Sequence, residues 1–174
     1  MFFHSTGKSA QIKETLQEVA LKITDETKAI IYFRPNDAKK VGKNCYYINQ
    51  IIWLNSDNIE LGDDVRFNHG VYVNGFGGLR IGNNSGIGPY SMIHTANHEF
   101  DEKKVSMRSW MKKPVVIGED CWIGMSVCIL PGVTIGDRVI IGAGSVVVDD
   151  IPSDCIAVGN PCKPVKTRKG ERIE

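Results

Sequence analysis

The sequence predicts an all-β solenoid, in which the chain coils into a prism of stacked turns. From Ile117 to Pro152 an Ile or Val returns every six residues, Gly follows it in four of the six repeats, and each fifth position is small or β-branched. A fixed short period is typical of solenoids, and a period of six fits neither a strand's alternation nor a helix. We therefore expect a corner every six residues, with one large and one small side chain turned inward on each side. The repeats begin at Ile117, Ile123, Ile129, Ile135, Ile141 and Val147.

The first forty residues lack this period. Residues 9–23, SAQIKETLQEVALKI, place apolar side chains at helical spacing, and Ser9 is of a type that caps helices. A second helix or an extended piece follows as far as Phe33. We predict a helical cap over residues 1–40, which would cover the strand edges at one end of the solenoid.

The β-helix itself is predicted over residues 41–166. The six-residue repeat starts weakly at Val41 and recurs from Leu61 and again from Ile81. Because each restart is displaced by two residues, these early coils should contain twenty residues rather than eighteen, with the two extra residues at one corner. Two further coils follow at 117–134 and 135–152.

Two segments depart from the prism. Residues 99–114, EFDEKKVSMRSWMKKP, are highly charged and have no period, so we expect a protruding loop. Long loops in compact domains are usually functional or disordered. Residues 167–174 are predicted to form a basic C-terminal tail.

Composition and charge argue against several classes of protein. The net charge of +1 favours neither nucleic acid nor an anionic membrane as a partner. The N-terminus lacks the apolar stretch of a signal peptide, and no apolar run approaches the roughly 18 residues that span a bilayer. The cysteine count is odd and CxxC is absent, so we expect reduced thiols used as small apolar side chains. These features predict a cytoplasmic protein without membrane insertion.

The stretch from Lys113 to Lys166 resembles the hexapeptide-repeat acyltransferases. The matching text is KPVVIGEDCWIG, ILPGVTIGDRVIIGAGSVVVDDIP and GNPCKPVK, and it extends back through IGNNSGIGPYSMIHTANH to about residue 60. Nearest are the maltose and galactoside O-acetyltransferases and those of bacterial surface polysaccharides. The resemblance implies a left-handed parallel β-helix, although the general rule for parallel crossovers predicts a right-handed one. It also implies a homotrimer with active sites between subunits, and acetyl-CoA as the donor.

His98, in IHTANHEF, lies where this family has its catalytic histidine. Acetyl transfer to a hydroxyl needs a base, and imidazole suits this role because its unperturbed pKa lies near neutrality. The alternative is a surface loop histidine. The family often has Pro after this histidine, whereas this chain has Glu99.

His69 and His94 raise the possibility of a metal site, because γ-class carbonic anhydrases share the fold and bind zinc through three histidines. The spacing of His69, His94 and His98 does not match that family's pattern. We therefore expect no metal. His94 follows the inward Ile93 and should point outward, as a solvated or hydrogen-bonded side chain.

Asn68 lies thirty residues before His98, at the offset of an acceptor-binding Asn in the galactoside acetyltransferases. An amide can orient a sugar hydroxyl because it both donates and accepts hydrogen bonds. The alternative is a turn asparagine at a corner of the prism.

The resemblance assigns acetyl-CoA contacts to Trp122, Gly124, Ala143, Lys163 and Lys166. Trp122, the sixth residue of its repeat, should be exposed, where it would shield the cofactor or contact another subunit. Small residues at 124 and 143 would allow close approach of the pantetheine arm, although hexapeptide turns favour small residues anyway. The two lysines would bind the CoA phosphates or belong to a solvated tail.

One corner departs from the family pattern. Val148 and Asp149 stand where the family commonly has Thr and Lys. This change removes a cation and adds a carboxylate, so phosphate contacts from this corner are expected to weaken.

The leading hypothesis is an acetyl-CoA-dependent O-acetyltransferase of a sugar or polysaccharide-precursor hydroxyl. His98 would be the base, Asn68 would orient the acceptor, and a backbone N–H near Gly124 or Met125 would face the oxyanion. The loop at 99–114 would shape acceptor choice or pack as a flap in the trimer. Alternatives are an N-acetyltransferase of a nucleotide-linked amino sugar, an antibiotic acetyltransferase, and a non-enzymatic assembly platform.

Overall fold

A computed structural model of the chain describes residues 30–34 and 36–173. These residues are almost entirely β, with one 3-10 turn at Ser56–Asn58 among them. The predicted helix at 9–23 lies outside the described residues. In chain order the strands are β1 (Ile30–Tyr32), β2 (Tyr46–Ile48), β3 (Ile52–Leu54), β4 (Ile59–Leu61), β5 (Arg66–Phe67), β6 (Tyr72–Asn74), β7 (Leu79–Ile81), β8 (Gly86–Ile87), β9 (Met92–His94), β10 (Ala96–Phe100), β11 (Val105–Lys112), β12 (Val115–Ile117), β13 (Trp122–Ile123), β14 (Cys128–Ile129), β15 (Thr134–Ile135), β16 (Ile140–Ile141), β17 (Val146–Val147), β18 (Cys155–Val158) and β19 (Lys163–Thr167).

Three sheets form the sides of a prism. The first sheet has the order β1-β2-β5-β8-β13-β16-β18-β19, the second β3-β6-β9-β14-β17, and the third β4-β7-β12-β15. Successive strands of one coil belong to different sheets, and equivalent strands of successive coils pair in parallel. Phe67 pairs with Ile87, twenty residues on, and Ile123 pairs with Ile141, eighteen residues on. The predicted parallel solenoid and its two coil lengths are confirmed.

The corners are named here by the sheets that they join. The first corner joins the first and second sheets, and comprises residues 49–50, 68–70, 88–90, 124–126 and 142–144. The second corner joins the second and third sheets, and comprises residues 55–58, 75–78, 95–114, 130–132 and 148–150. Both the two extra residues of the early coils and the whole excursion at 99–114 occur at the second corner.

The core is a single stack of inward side chains. The first and fifth positions of all six repeats are buried, from Ile117 and Cys121 to Val147 and Ile151. All five cysteines are free thiols and four are buried, as predicted for small apolar side chains. Burial raises the pKa of the Cys121 thiol, which makes it a poor nucleophile.

The excursion is a two-stranded antiparallel hairpin, β10–β11, and not an irregular loop. Its register pairs Ala96 with Lys112 and His98 with Trp110, and then shifts, because residues 106–109 of β11 lie opposite the single residue Glu99. An isolated hairpin is marginally stable, so its base must be anchored. The Lys113 N–H donates to the Thr95 carbonyl at 3.0 Å and closes this base. The extra residues at 106–109 bend β11 and bring the Ser106 carbonyl to His98.

The end of the described chain folds back on the last coil. β19 pairs antiparallel with β18, and in the predicted basic tail the Ile173 N–H donates to the Val165 carbonyl. The Arg168 guanidinium donates to the Asp120 carbonyl at 3.1 Å. No helix in the described part of the chain is long and apolar enough to cross a membrane.

Candidate active site

The predicted site residues lie at two different corners of the prism. Asn68, Gly124 and Ala143 belong to the first corner, and Trp122 lies two residues before Gly124 on the outer face of the first sheet. His98 lies on the hairpin at the second corner. One side of the prism separates the two corners, and its six residues of extended chain span on the order of 20 Å. Within one chain, the structure therefore does not bring His98 to the other predicted residues.

The His98 ring is held in one tautomer by the facing strand. Its Nδ1 lies 2.9 Å from the Ser106 carbonyl oxygen. Because a carbonyl oxygen can only accept, Nδ1 must carry the proton, and Nε2 keeps its lone pair. The Ser106 hydroxyl in turn accepts from the Ser109 N–H at 3.2 Å and the Ser109 hydroxyl at 2.6 Å. This turn fixes the carbonyl that orients the imidazole, which leaves His98 suited to accept a proton at Nε2.

An aromatic side chain covers one face of this imidazole. The Trp110 and His98 ring centroids are 3.9 Å apart with an interplanar angle of 32°. Trp110 also meets Phe76 edge to face at 6.0 Å. Sequence reasoning noted Trp110 only as a loop residue and did not single out Ser106 or Phe76. The cross-strand register brings Trp110 and Ser106 to His98, and the sequence of residues 105–112 has no regular period that could predict this register.

The first corner combines small residues with the Asn68 amide and the larger side chains of His69, Tyr90 and Met125. Asn68 donates from Nδ2 to the Ile87 carbonyl at 3.3 Å, so its Oδ1 remains as the acceptor atom. A Cβ on Gly124 would lie 2.7 Å from the Ala143 backbone nitrogen, so the stacking of coils alone requires glycine there. The Gly124 N–H donates to the Ile141 carbonyl at 2.8 Å and is therefore not available to an oxyanion. Of the two predicted oxyanion donors, Met125 is the one that remains.

Trp122 is exposed, as predicted, and its indole lies over the neighbouring coil. A Cβ on Gly86 would stand 2.9 Å from the indole ring, so glycine at 86 is what lets the ring lie flat there. The outward row that contains Trp122 continues through Ile140 and Ile156. Lys166 pairs with Ile156 and so ends this row, three strand spacings or about 14 Å from Trp122.

Lys163 lies at the end of the first corner and is already paired with an acid. Its Nζ is 2.6 Å from Asp149 Oδ2. Asp149 is the residue that stands where the family commonly has a lysine. Asp149 follows β17 and so lies at the second corner, and the ion pair leaves the two residues with no net charge between them.

The three histidines considered for zinc do not converge within the chain. His94 points outward as predicted, stacks on Tyr72 at 6.0 Å, and accepts from the Ala96 N–H at 3.3 Å. His69 belongs to the first corner and meets Tyr90 edge to face. Within residues 30–34 and 36–173, no group of three His, Cys, Asp or Glu side chains is arranged to hold a metal ion.

Comparisons with known proteins agree with this architecture. The family model described as bacterial transferase hexapeptide (six repeats) matches residues 114–149. The galactoside O-acetyltransferase of Escherichia coli (strain K12) is 32% identical over 126 residues, which are 72% of this chain and 62% of that enzyme. Two yeast relatives are matched over 45% and 56% of their own lengths. The chain thus spans about half the length of the curated relatives that it matches.

Solved structures match a larger share of the chain. A maltose O-acetyltransferase from Clostridium difficile 630 is 38% identical with a TM-score of 0.68, over 77% of this chain and 69% of that chain. A galactoside acetyltransferase in complex with coenzyme A is 28% identical with a TM-score of 0.61, over 79% of this chain and 70% of that one. Together with the six-residue repeat and its three parallel sheets, these matches show that the chain belongs to the hexapeptide-repeat acetyltransferase family.

Proposed function

We propose that this protein is an acetyl-CoA-dependent O-acetyltransferase that acts on a hydroxyl of a sugar or polysaccharide precursor. The observation that carries the proposal is the geometry of His98, whose Nδ1–H is held by the Ser106 carbonyl while Nε2 keeps its lone pair. The relatives are named for O-acetyl transfer to galactosides and maltose, and one was solved with coenzyme A. Their names support the choice of donor and of acceptor class.

The reaction needs two proton transfers, one from the acceptor hydroxyl to His98 and one from His98 to the CoA thiolate. His98 Nε2 takes the proton from the acceptor hydroxyl as its oxygen bonds to the thioester carbonyl carbon. The negative charge that develops on the carbonyl oxygen is stabilised by the Met125 N–H. When the carbon–sulfur bond breaks, His98 gives this proton to the CoA thiolate. Asn68 Oδ1 accepts a hydrogen bond from a second hydroxyl of the acceptor and so orients it.

The donor runs along the first corner. Gly124 and Ala143 stack in successive coils, and Lys163 follows one coil later, so a pantetheine arm placed there would meet small side chains and then a cation. Parallel strands are spaced at about 4.8 Å, which makes this track about 10 Å long. Trp122 flanks the beginning of the arm on the first sheet, and Lys166 offers a second cation to the phosphates.

A second copy of the chain is needed to complete the site. The outer face of the second sheet is apolar along its central row, and Ile52 and Met92 in that row are 55% and 46% exposed. The corresponding row of the third sheet is more polar, with a Glu60–Arg80 ion pair at 3.3 Å. Burying the apolar face in a homotrimer would bring His98 of one subunit to the first corner of its neighbour. The central row of the second sheet is Ile52, Tyr72, Met92, Cys128 and Val146.

Mixing two inactive variants tests this shared site. His98→Ala and Asn68→Ala homotrimers should both be impaired, and subunits mixed by mild dissociation should regain activity. With random assortment, about one interface in four joins an intact His98 to an intact Asn68, so about a quarter of wild-type activity should return. The returned activity is measured as the free CoA thiol that is released in the presence of a galactoside acceptor.

The control is a mixture of His98→Ala with itself, carried through the same dissociation and reassembly. Activity that stays at the level of the separate variants, although mass spectrometry detects mixed trimers, would contradict a site shared between subunits. Loss of acetyl-CoA binding by the wild-type protein would contradict the proposed activity as a whole.

Removing the carboxylate beside Lys163 should strengthen donor binding. Asp149→Asn frees the Lys163 ammonium from its 2.6 Å ion pair, so the cation is available to a CoA phosphate. We expect the KM for acetyl-CoA to fall about two- to fivefold with kcat unchanged, since exposed ion pairs contribute up to about 1 kcal/mol. Steady-state kinetics at low salt measure this, with Glu102→Gln as the charge-matched control. An unchanged KM would mean that Lys163 does not contact the donor.

A further inference from the structure

We propose that Trp110 is the positioning residue of the catalytic base, and that its indole face stabilises the positive charge that His98 acquires during acetyl transfer. The inference rests on the proposed role of His98. It goes beyond that role because it assigns a function to a side chain of the hairpin that is neither a donor contact nor an acceptor contact.

The contact is closer than ordinary packing of two exposed rings. The ring centroids of Trp110 and His98 lie 3.9 Å apart and are tilted by 32°, so the imidazole lies over the indole face. The two residues are also direct cross-strand partners, and side chains of such pairs lie on the same face of a sheet. The contact is thus built into the register of the hairpin.

The imidazole is restrained on two sides. The Ser106 carbonyl holds Nδ1 in the plane of the ring at 2.9 Å, and Trp110 covers one face. An in-plane hydrogen bond alone leaves rotation about the Nδ1···O direction free, and a ring stacked on the face removes that rotation. Nε2 is then aimed in one direction.

Trp110 also packs against a residue of the solenoid. It meets Phe76 edge to face at 6.0 Å, and the Lys112 ammonium lies 3.6 Å from the centroid of the Phe76 ring. Phe76 belongs to the second corner of the preceding coil, so this chain of contacts ties the hairpin to the rigid prism. The ring that positions His98 is therefore attached to the solenoid and not only to its own strand.

The same stacking favours the reaction electrostatically. Imidazole is neutral before acetyl transfer and carries a positive charge while it holds the acceptor proton. The face of an indole attracts a cation, and Trp is the strongest of the aromatic side chains in this respect. Trp110 therefore interacts more strongly with His98 after proton transfer than before it, which is the difference that lowers a barrier.

Replacement of Trp110 in the otherwise unaltered chain tests the inference. Trp110→Leu should lower kcat about tenfold and leave the KM for acetyl-CoA and for the sugar acceptor within about twofold, because positioning is lost and binding is not. Trp110→Phe keeps an aromatic face and should retain at least about a third of kcat. Met107→Leu, on the same strand and 73% exposed, is the matched control and should behave as wild type.

A spectroscopic measurement does not depend on activity. In substrate-free protein, the carbon-bound ring protons of His98 should be shifted upfield by the indole ring current. This shift should be lost in Trp110→Leu and retained in reduced form in Trp110→Phe. Circular dichroism and coenzyme A binding, equal in the variants and wild type, establish that the fold is intact.

Two results would overturn the inference. One is a wild-type kcat in Trp110→Leu while His98→Ala is inactive. His98 would then still be the base, but Trp110 would have no part in its action. The other is a raised acceptor KM with an unchanged kcat, which would make Trp110 an acceptor contact. Full activity of His98→Ala would instead contradict the proposed function itself.

Discussion

His98→Ala should lower kcat for O-acetyl transfer about a thousandfold, the middle of the range for loss of a general base. The structure gives the reason, since the Ser106 carbonyl fixes the protonated nitrogen and leaves Nε2 to take the hydroxyl proton. The KM for acetyl-CoA should stay within about threefold, because in the proposed site His98 acts on the acceptor. Stopped assays of CoA release with a galactoside acceptor measure both constants.

Asn97→Ala is the matched control for this variant. Asn97 precedes His98 on β10, so its side chain points to the opposite side of the strand. It should keep wild-type kcat. If His98→Ala retained full activity toward an amino-sugar acceptor and lost it toward hydroxyl acceptors, the acceptor would be an amine, since an amine needs less help from a base.

Met92→Glu should dissociate the proposed trimer and thereby abolish the activity. Met92 lies in the middle of the apolar row of the second sheet, between Tyr72 and Cys128. A carboxylate there would be buried without a partner at each interface, at a cost of about 3 kcal/mol or more, or over about a hundredfold in association. Sedimentation velocity should find monomers at micromolar concentration, and acetyl transfer should fall in the same proportion as the trimer.

Val116→Glu is the control on another side of the prism. Val116 holds the equivalent outward position in the third sheet, next to Arg80. Since this face carries charges already, Val116→Glu should leave both the sedimentation coefficient and the activity unchanged. A monomeric Met92→Glu with wild-type activity would contradict an active site formed between subunits.

Much of the prism could be predicted because each coil repeats the same packing problem. Six residues separate Ile117 from Ile123 and again from Ile129, and a side of that length with two inward residues fits only a short straight strand and a corner. The position of the excursion followed for the same reason, since it begins where the repeat stops. Local pattern and global fold agree along this part of the chain.

The contacts of the site were harder to predict, because they depend on pairings that the repeat does not specify. The meeting of His98 with Ser106 and Trp110 requires the register of an antiparallel hairpin, and its charged sequence has no period to set one. The Lys163–Asp149 ion pair joins residues that are fourteen apart and meet only when one coil stacks on the next. The Gly124 N–H was proposed for the oxyanion because sequence cannot tell which backbone donors the stacking already uses.

The second corner is the place where this architecture tolerates changes of length. Leu61 and Ile81 are separated by twenty residues, Ile81 and Ile117 by thirty-six, and Ile117 and Ile135 by eighteen, yet each pair is in parallel register on the third sheet. The chain that enters this sheet from the second corner therefore reaches the same position in each coil, whatever the length of the segment before it.

The hydrogen bond from the Lys113 N–H to the Thr95 carbonyl holds the two ends of the hairpin together at 3.0 Å. A segment exchanged between these two residues would begin and end at neighbouring points and leave the stacked strands where they are. We expect that a grafted hairpin which keeps His98, Ser106 and Trp110 in register can alter acceptor preference, while the proposed track for the acetyl donor, at another corner, is left intact.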